Sequence, residues 1–255
     1  MSVCAVSISN MLLLLIVSLL SLLGQPVMPE EPGEESYRYD VRYLYGKLDT
    51  KVAQAIFTMT PDQWEEKDVY KADINIVVQP IFRLFMSAKY LVKCYFTRPG
   101  MGPLYYYSPN SKGDTWCTYE EGEEGIRFYK LYDDMTEPQV FIFPNDGRTM
   151  DLASMLYYFR GYDFEERKPY DMTMVMAAKL VPATITMEGI DTEKFPGHNA
   201  QKIHIVMPER GLMENGSGNE IFLWIDADGT RPVLGLQVAL GKHSTLVCKI
   251  VENKL

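Results

Sequence analysis

Alternation of apolar and polar side chains, renewed in segment after segment, constrains this chain more than any other feature. In "YRYDVRYLYG", residues 37–46, Tyr37, Tyr39, Val41, Tyr43 and Tyr45 fall on one face and Arg38, Asp40 and Arg42 on the other. A period of two is that of a pleated strand, and one wet face is typical of an antiparallel sheet. A turn at Gly46-Lys47 leads into a strand from Leu48 to Thr60, carrying Ala53, Ala55 and Phe57, with Pro61 and Asp62 as its stop. "DVYKADINIVV" then aligns Tyr70, Ala72, Ile74, Ile76 and Val78.

The rhythm breaks at Pro80. Ile81, Phe82, Phe85 and Met86 stand at helical spacing, and proline suits a first helical position, so a short helix is expected over Pro80–Ser87. A strand through Phe96, a turn at "RPGMGP" and the short strand "LYYYSPN" follow. "DTWCTYEEGEEGIRFYKLYDD" reads as a hairpin with Glu120–Gly125 as its loop. The second half is nearly continuous strand, including a hairpin signalled by Asp228-Gly229 between two apolar runs. Roughly eleven to thirteen strands are read in this way. Sequential hairpins pair with their neighbours and form a meander. A sheet of that size must curl, and its concave side must be covered. The expected fold is therefore all-β with two short helices: one large curled antiparallel meander, a half-barrel or open barrel, with the helices plugging the concave side. No internal repeat and no interior linker is visible, so residues 37–255 form a single β-rich domain.

The second helix is expected in "DLASMLYYFRGYDF", residues 151–164. Asp151 or Thr149 can accept hydrogen bonds from the first N–H groups of a helix. Leu152, Met155, Leu156 and Phe159 repeat at i, i+3, i+4 and i+7, one apolar stripe. Tyr157, Tyr158 and Arg160 fall off it, and Gly161 can adopt the left-handed conformation that ends a helix. Ser154 lacks the G-x-S-x-G context of a strained nucleophile, and no neighbour in sequence supplies a base.

The ends carry a different message. "MLLLLIVSLLSLL", residues 11–23, is an uncharged apolar run. It is short for a membrane span, which takes ~20 residues. We read residues 1–24 as a signal peptide or uncleaved N-terminal anchor, although no basic residue precedes the run. Residues 25–36, rich in Pro, Gly and Glu, form a linker. An exported chain would retain Cys94, Cys117 and Cys248, an odd number that leaves at least one thiol free. The formal net charge of −9 and the absence of a basic run argue against a nucleic-acid surface.

The segments "DLASMLYYFRGYDF", "ITMEG" and "IFLWIDADGTRPVLGLQVALG", together with the opening "YRYDVRYLYG", resemble the domain-of-unknown-function 3108 family of bacterial envelope proteins. The likeness lies in an Asp-x-x-Ser segment leading to Tyr-x-x-Arg, a Glu-Gly strand end, a Trp strand and an Arg-Pro-Val strand, and it covers Tyr37 to Glu252. It implies an exported all-β domain in a Gram-negative periplasm, of the Bacteroides kind. It carries no established activity and no functional residues.

No catalytic cluster stands out. His198, His204 and His243 are scattered, the cysteines match no zinc spacing, and the paired acids lie in turns. No metal and no cofactor is expected. The aromatic residues are more informative. Tyr105, Tyr106 and Tyr107 occupy both faces of one short strand, and Ile221, Leu223 and Ile225 oppose Phe222 and Trp224. A strand apolar on both faces must be covered on both, by core or by a ligand. Tyr105, Tyr107, Tyr157, Arg160, Phe222 and Trp224 are the candidate binding residues. The expected function is non-enzymatic: a periplasmic or envelope-associated protein that binds a lipid or other hydrophobic ligand, a glycan or an envelope protein partner, touching the membrane only through its N-terminal segment if that is uncleaved. The alternative is a hydrolase of envelope glycans or peptides, which needs two converging carboxyls.

Overall fold

The structure, a computed structural model, describes residues 32–84, 87–98, 100–110, 113–120, 122–176, 178–208 and 219–253. The expected N-terminal signal or anchor and most of the linker lie outside the described residues, as do Phe85 and Met86. In chain order the strands are β1 (Glu35–Tyr45), β2 (Leu48–Trp64), β3 (Lys67–Val78), β4 (Lys89–Thr97), β5 (Pro103–Asn110), β6 (Gly113–Tyr119), β7 (Gly122–Tyr132) and β8 (Gln139–Asn145). After β9 (Thr149–Met150) comes the one α-helix among the described residues, α1 (Leu152–Tyr158), extended by a 310 turn at Phe159–Gly161. The chain then forms β10 (Pro169–Met176), β11 (Lys179–Ile190), β12 (Ala200–Val206), β13 (Glu220–Asp226), β14 (Val233–Gly241) and β15 (Ser244–Asn253). No helix among the described residues is long and apolar enough to cross a membrane.

All the strands among the described residues belong to one 15-stranded sheet, nearly closed into a barrel. Neighbours in space follow the chain from β8 back to β1 and from β15 back to β9. The exception to sequential order is the antiparallel pair β1–β15, which runs from Tyr45↔Ser244 to Tyr37↔Asn253. The sheet is thus a ring interrupted between β8 and β9. Across that interruption Phe128 and Cys117 pack with Val175 and Ala178. The expected curled meander is the observed fold, with more strands than were read from the pattern.

Three local expectations are corrected. Pro61 does not end β2, which continues to Trp64 and pairs Pro61 with Tyr70. β1 meets β2 only as far as Glu35↔Met59, so Pro61 lies where β2 has become an edge, a position that tolerates proline. The hairpin turns at Glu65-Glu66, both with positive φ (49° and 66°), a two-residue geometry usually signalled by Asn-Gly. Trp64, tilted against Tyr95 at 4.4 Å and stacked on Tyr105 at 5.1 Å, holds this extension against the outer face. Second, the helix expected over Pro80–Ser87 is a 310 turn at Pro80–Phe82 that buries none of its residues. Of its residues only Phe82, half-buried, packs on the cluster that holds Val52 and Val78; Ile81 and Leu84 point to solvent. Third, Gly161 does not end α1 in a left-handed residue: the 310 turn exits into extended Tyr162 (φ −105°).

The register gives the barrel two unlike ends. At one, the plugged end, lie the β2–β3, β6–β7 and β13–β14 turns and the start of α1. At the other, the rim, lie the β1–β2, β3–β4, β7–β8 and β14–β15 turns.

Candidate functional site

The helix is fixed inside the barrel by two buried polar centres. Asp151 (φ −79°, ψ 168°) caps it, its Oδ1 accepting from the Ser154 N–H at 2.9 Å. Its Oδ2 accepts from Ser154 Oγ at 2.6 Å and from the Tyr119 hydroxyl at 2.7 Å, and that hydroxyl accepts from the Asp151 N–H at 3.0 Å. Burial pushes the Asp151 carboxyl above the usual range, opposed by the hydrogen bonds from Ser154 and Tyr119. Ser154 therefore does have a carboxylate within reach, contrary to the sequence reading. Both its donors are spent on the cap. The histidines lie elsewhere: His198 against Asp226 at 2.6 Å, His204 stacked 4.5 Å over Phe222, and His243 in the β14–β15 turn.

The second centre is Arg160, 2% exposed and among the largest fully buried side chains. Its Nε donates to the Arg231 carbonyl at 3.0 Å, and one terminal nitrogen donates to the Thr230 carbonyl and to Glu35 Oε2, each at 2.7 Å. The other lies 3.8 Å from Met59 Sδ. Glu35, placed in the linker by its composition, is thus 6% exposed and part of β1. Tyr157, also off the predicted stripe, is 3% exposed and packs on Phe96 at 5.1 Å. The reason is shared: the helix sits within the barrel, so the face opposite its apolar stripe is enclosed too.

A plug of seven helical residues is ~10 Å long. The strands around it, of seven to twelve residues or more, run ~25–40 Å. The helix therefore fills only part of the interior. Between it and the rim lies a cavity of about 590 Å³, within the size range of small-molecule sites. Leu152, Ala153 and Leu156 form its floor, and Phe57, Ile74, Ile76, Val92, Leu236 and Leu246 its apolar wall. Several of these inward side chains, Phe57, Ile76, Val92, Leu236 and Leu246 among them, stay half-buried where a filled core would cover them. Thr115, Lys130 and Tyr132 bring polar groups to the rim side of the wall. Among the described residues no group of three or more His, Cys, Asp or Glu is placed to hold a metal ion.

None of the six residues singled out from sequence lines this cavity. Tyr105 and Tyr107 are on the outer face, Tyr105 in the Trp64–Tyr95 stack and Tyr107 donating to Asp114 at 2.9 Å. Phe222 and Trp224 also face outward. There the loop after β11 folds over them: Phe195 lies 5.8 Å from Trp224, and the Trp224 indole donates to Asp191 at 3.0 Å. Gly235 makes room for that loop, since a Cβ there would meet Phe195 Cζ at 2.7 Å. Tyr157 and Arg160 belong to the plug. The second cover needed by the two-faced strand β13 is therefore a loop. It is Tyr106, the middle tyrosine of the three, that reaches the cavity. The missed wall residues were visible as alternating apolar positions; the shortness of the helix beside the strands was the available sign that some would stay uncovered.

The segments that carry the family resemblance gather at the plug. The Asp-x-x-Ser pair is the cap, and Arg160 binds the carbonyls of Thr230 and Arg231 beside the Arg-Pro-Val strand. No curated protein and no solved structure matches the chain. A family described as "Protein of unknown function (DUF3108)" matches residues 38–241 of the 255. That stretch takes in the plug, both polar centres apart from Glu35, and the whole cavity wall apart from the inward residues of β15, and the chain belongs to this DUF3108 family.

Proposed function

We propose that this protein is a non-enzymatic component of the cell envelope, exported to the periplasm, that binds a hydrophobic ligand in the cavity between its plug and its rim. One observation carries the reading: a cavity of about 590 Å³ walled by apolar side chains that the helix leaves uncovered. Leaving that surface to water costs ~25 cal/mol for each Å², and a bound hydrocarbon chain recovers it. At ~30 Å³ per water-sized group, the space accepts a chain of about 20 such groups. The polar residues of the rim side suit a ligand with one polar end. The hydrolase alternative finds less support. It calls for two converging carboxyls, whereas the cavity borders Asp151 at the plug and Asp114 toward the rim, the latter engaged with Tyr107 on the outer face.

Native mass spectrometry of protein isolated from its own periplasm, followed by organic extraction, tests the proposal. A retained amphiphile is the expected result. A bare mass, together with no uptake of a fluorescent long-chain fatty acid, would overturn it.

A further inference from the structure

The four most exposed large apolar side chains among the described residues all lie at the rim: Leu84 (83%), Ile81 (72%), Tyr45 (56%) and Leu48 (55%). They sit on adjoining strand connections. The β1–β2 turn is bonded to the β14–β15 turn through Gly46 N–H and the His243 carbonyl at 3.2 Å. The β3–β4 connection is bonded to the start of β2 through Gln79 N–H and the Val52 carbonyl at 2.9 Å. Basic residues surround them. Lys47, Arg83, Lys89 and Lys242 occupy these tips, while Lys51 is paired to Asp40, and Asp49 to Arg42 at 2.7 Å. This occurs in a chain whose formal net charge is −9. The plugged end is on balance acidic, its turns carrying Glu65, Glu66, Glu120, Asp146, Asp191 and Glu193 against Lys67, Arg98, Arg148 and Lys194. The far side of the rim, at the β7–β8 turn, is acidic as well through Asp133, Asp134 and Glu137.

Apolar side chains projecting singly among lysines match the chemistry of an anionic lipid interface: the hydrocarbon enters the headgroup boundary and the cations meet the surface potential. We propose that the corner of the rim formed by the β1–β2, β3–β4 and β14–β15 connections docks on an anionic lipid bilayer. The acidic plugged end then faces away from the membrane, and the acidic β7–β8 side tilts the contact off the barrel axis. This is a membrane contact separate from the N-terminal segment, because β1 starts at the plugged end. It does not depend on what the cavity holds.

The test uses the full chain with Cys4→Ser and one added thiol, Leu84→Cys at the rim or Glu193→Cys at the plugged end, carrying a polarity-sensitive fluorophore. Burial pushes the native Cys117 and Cys248 thiols up to about 12 and the Cys94 thiol well above its usual value, which slows their labelling, and the background without an added thiol is subtracted. Vesicles are phosphatidylcholine alone or with phosphatidylglycerol. The expected result is a blue shift of the Leu84→Cys label on phosphatidylglycerol vesicles, absent on phosphatidylcholine and absent at Glu193→Cys. Lys47→Gln and Lys242→Gln should each weaken vesicle binding about fivefold. Equal responses at the two labels, equal responses to the two lipids, or lysine variants that bind like the parent would overturn the inference. So would a shift that follows protein concentration without vesicles, which would mark a second copy on this surface.

Discussion

Replacing Arg160 by Met tests whether the plug is held by charge as well as by packing. The side chain is 2% exposed and its carboxylate partner Glu35 is 6% exposed, so neither is screened by solvent. Methionine keeps most of the volume and its contact with Met59 but leaves Glu35 without its cation and the Thr230 and Arg231 carbonyls without a donor. Glu35 Oε1 already lacks a hydrogen-bond partner among the described residues. Removing one member of a buried pair costs ~3–5 kcal/mol, chiefly because the other is stranded. For a domain of this size that corresponds to a fall of ~6–20 °C in Tm. The companion Glu35→Gln removes the stranded charge. The double variant should recover ~1–3 kcal/mol relative to the sum of the single losses. The assay is urea unfolding followed by far-UV circular dichroism, with the slope checked for constancy before midpoints are compared. A loss below about 1 kcal/mol for Arg160→Met, or strict additivity in the cycle, would refute the assignment of Arg160 as a charged anchor.

Three further outcomes are expected. Val92→Trp or Ile76→Trp, projecting into the cavity from half-buried wall positions, should abolish uptake of a fluorescent fatty acid while leaving the unfolding midpoint within about 1 kcal/mol of the parent; uptake at the parental level would count against the cavity as the site. Tyr105→Ala and Trp224→Ala, on the outer face, should leave that uptake unchanged, and Trp224→Ala should lower stability by ~3 kcal/mol because its ring is 4% exposed; a loss of uptake without a loss of stability would return these aromatics to the ligand. The Asp151 carboxyl titrates higher folded than unfolded, so the native state binds the extra proton and Asp151 destabilises progressively as pH rises through that window, from the unfolded value near ~4 upward. Asp151→Asn keeps a capping oxygen and should gain stability over the parent across the same interval; midpoints measured at pH 4 and pH 7 that differ equally for both proteins would show that Asp151 contributes nothing.

What the sequence disclosed and what it withheld divide along the range of the interactions involved. The alternation in residues 37–46 and 68–78 depends on the strand itself, and it led directly to β1 and β3. The cap formed by Asp151 and Ser154 spans three residues and was equally legible. Glu35 was not, because its composition matches the linker before it and its partner is 125 residues away. Tyr157 and Arg160 were placed off the buried stripe since helical periodicity describes a helix lying on a surface, and this one is surrounded. Pro61 was misread, and the Glu65-Glu66 turn passed over, for a related reason: what makes them tolerable is the loss of β1 as a neighbour and the stack on Trp64, neither of which is local. The same holds for the aromatics, where the pattern gave two apolar faces and only the tertiary structure decides which face meets the cavity.

The pairing of β1 with β15 also sets the order in which the barrel can be made. Hairpins from β1 to β8 can zip as soon as they are synthesised, each closing a short loop. The outer edge of β1 has no partner until Ser244–Asn253 exists, some two hundred residues later, and a loop of that length is slow to close. Throughout that interval an edge lined by Tyr39, Val41 and Tyr43 is open to other chains. A circularly permuted chain that starts at Thr149, runs through a linker from residue 253 to residue 35 and ends at Asn145 would have the same sheet with every pairing local. It should fold faster and aggregate less than the natural order, at little change in final stability.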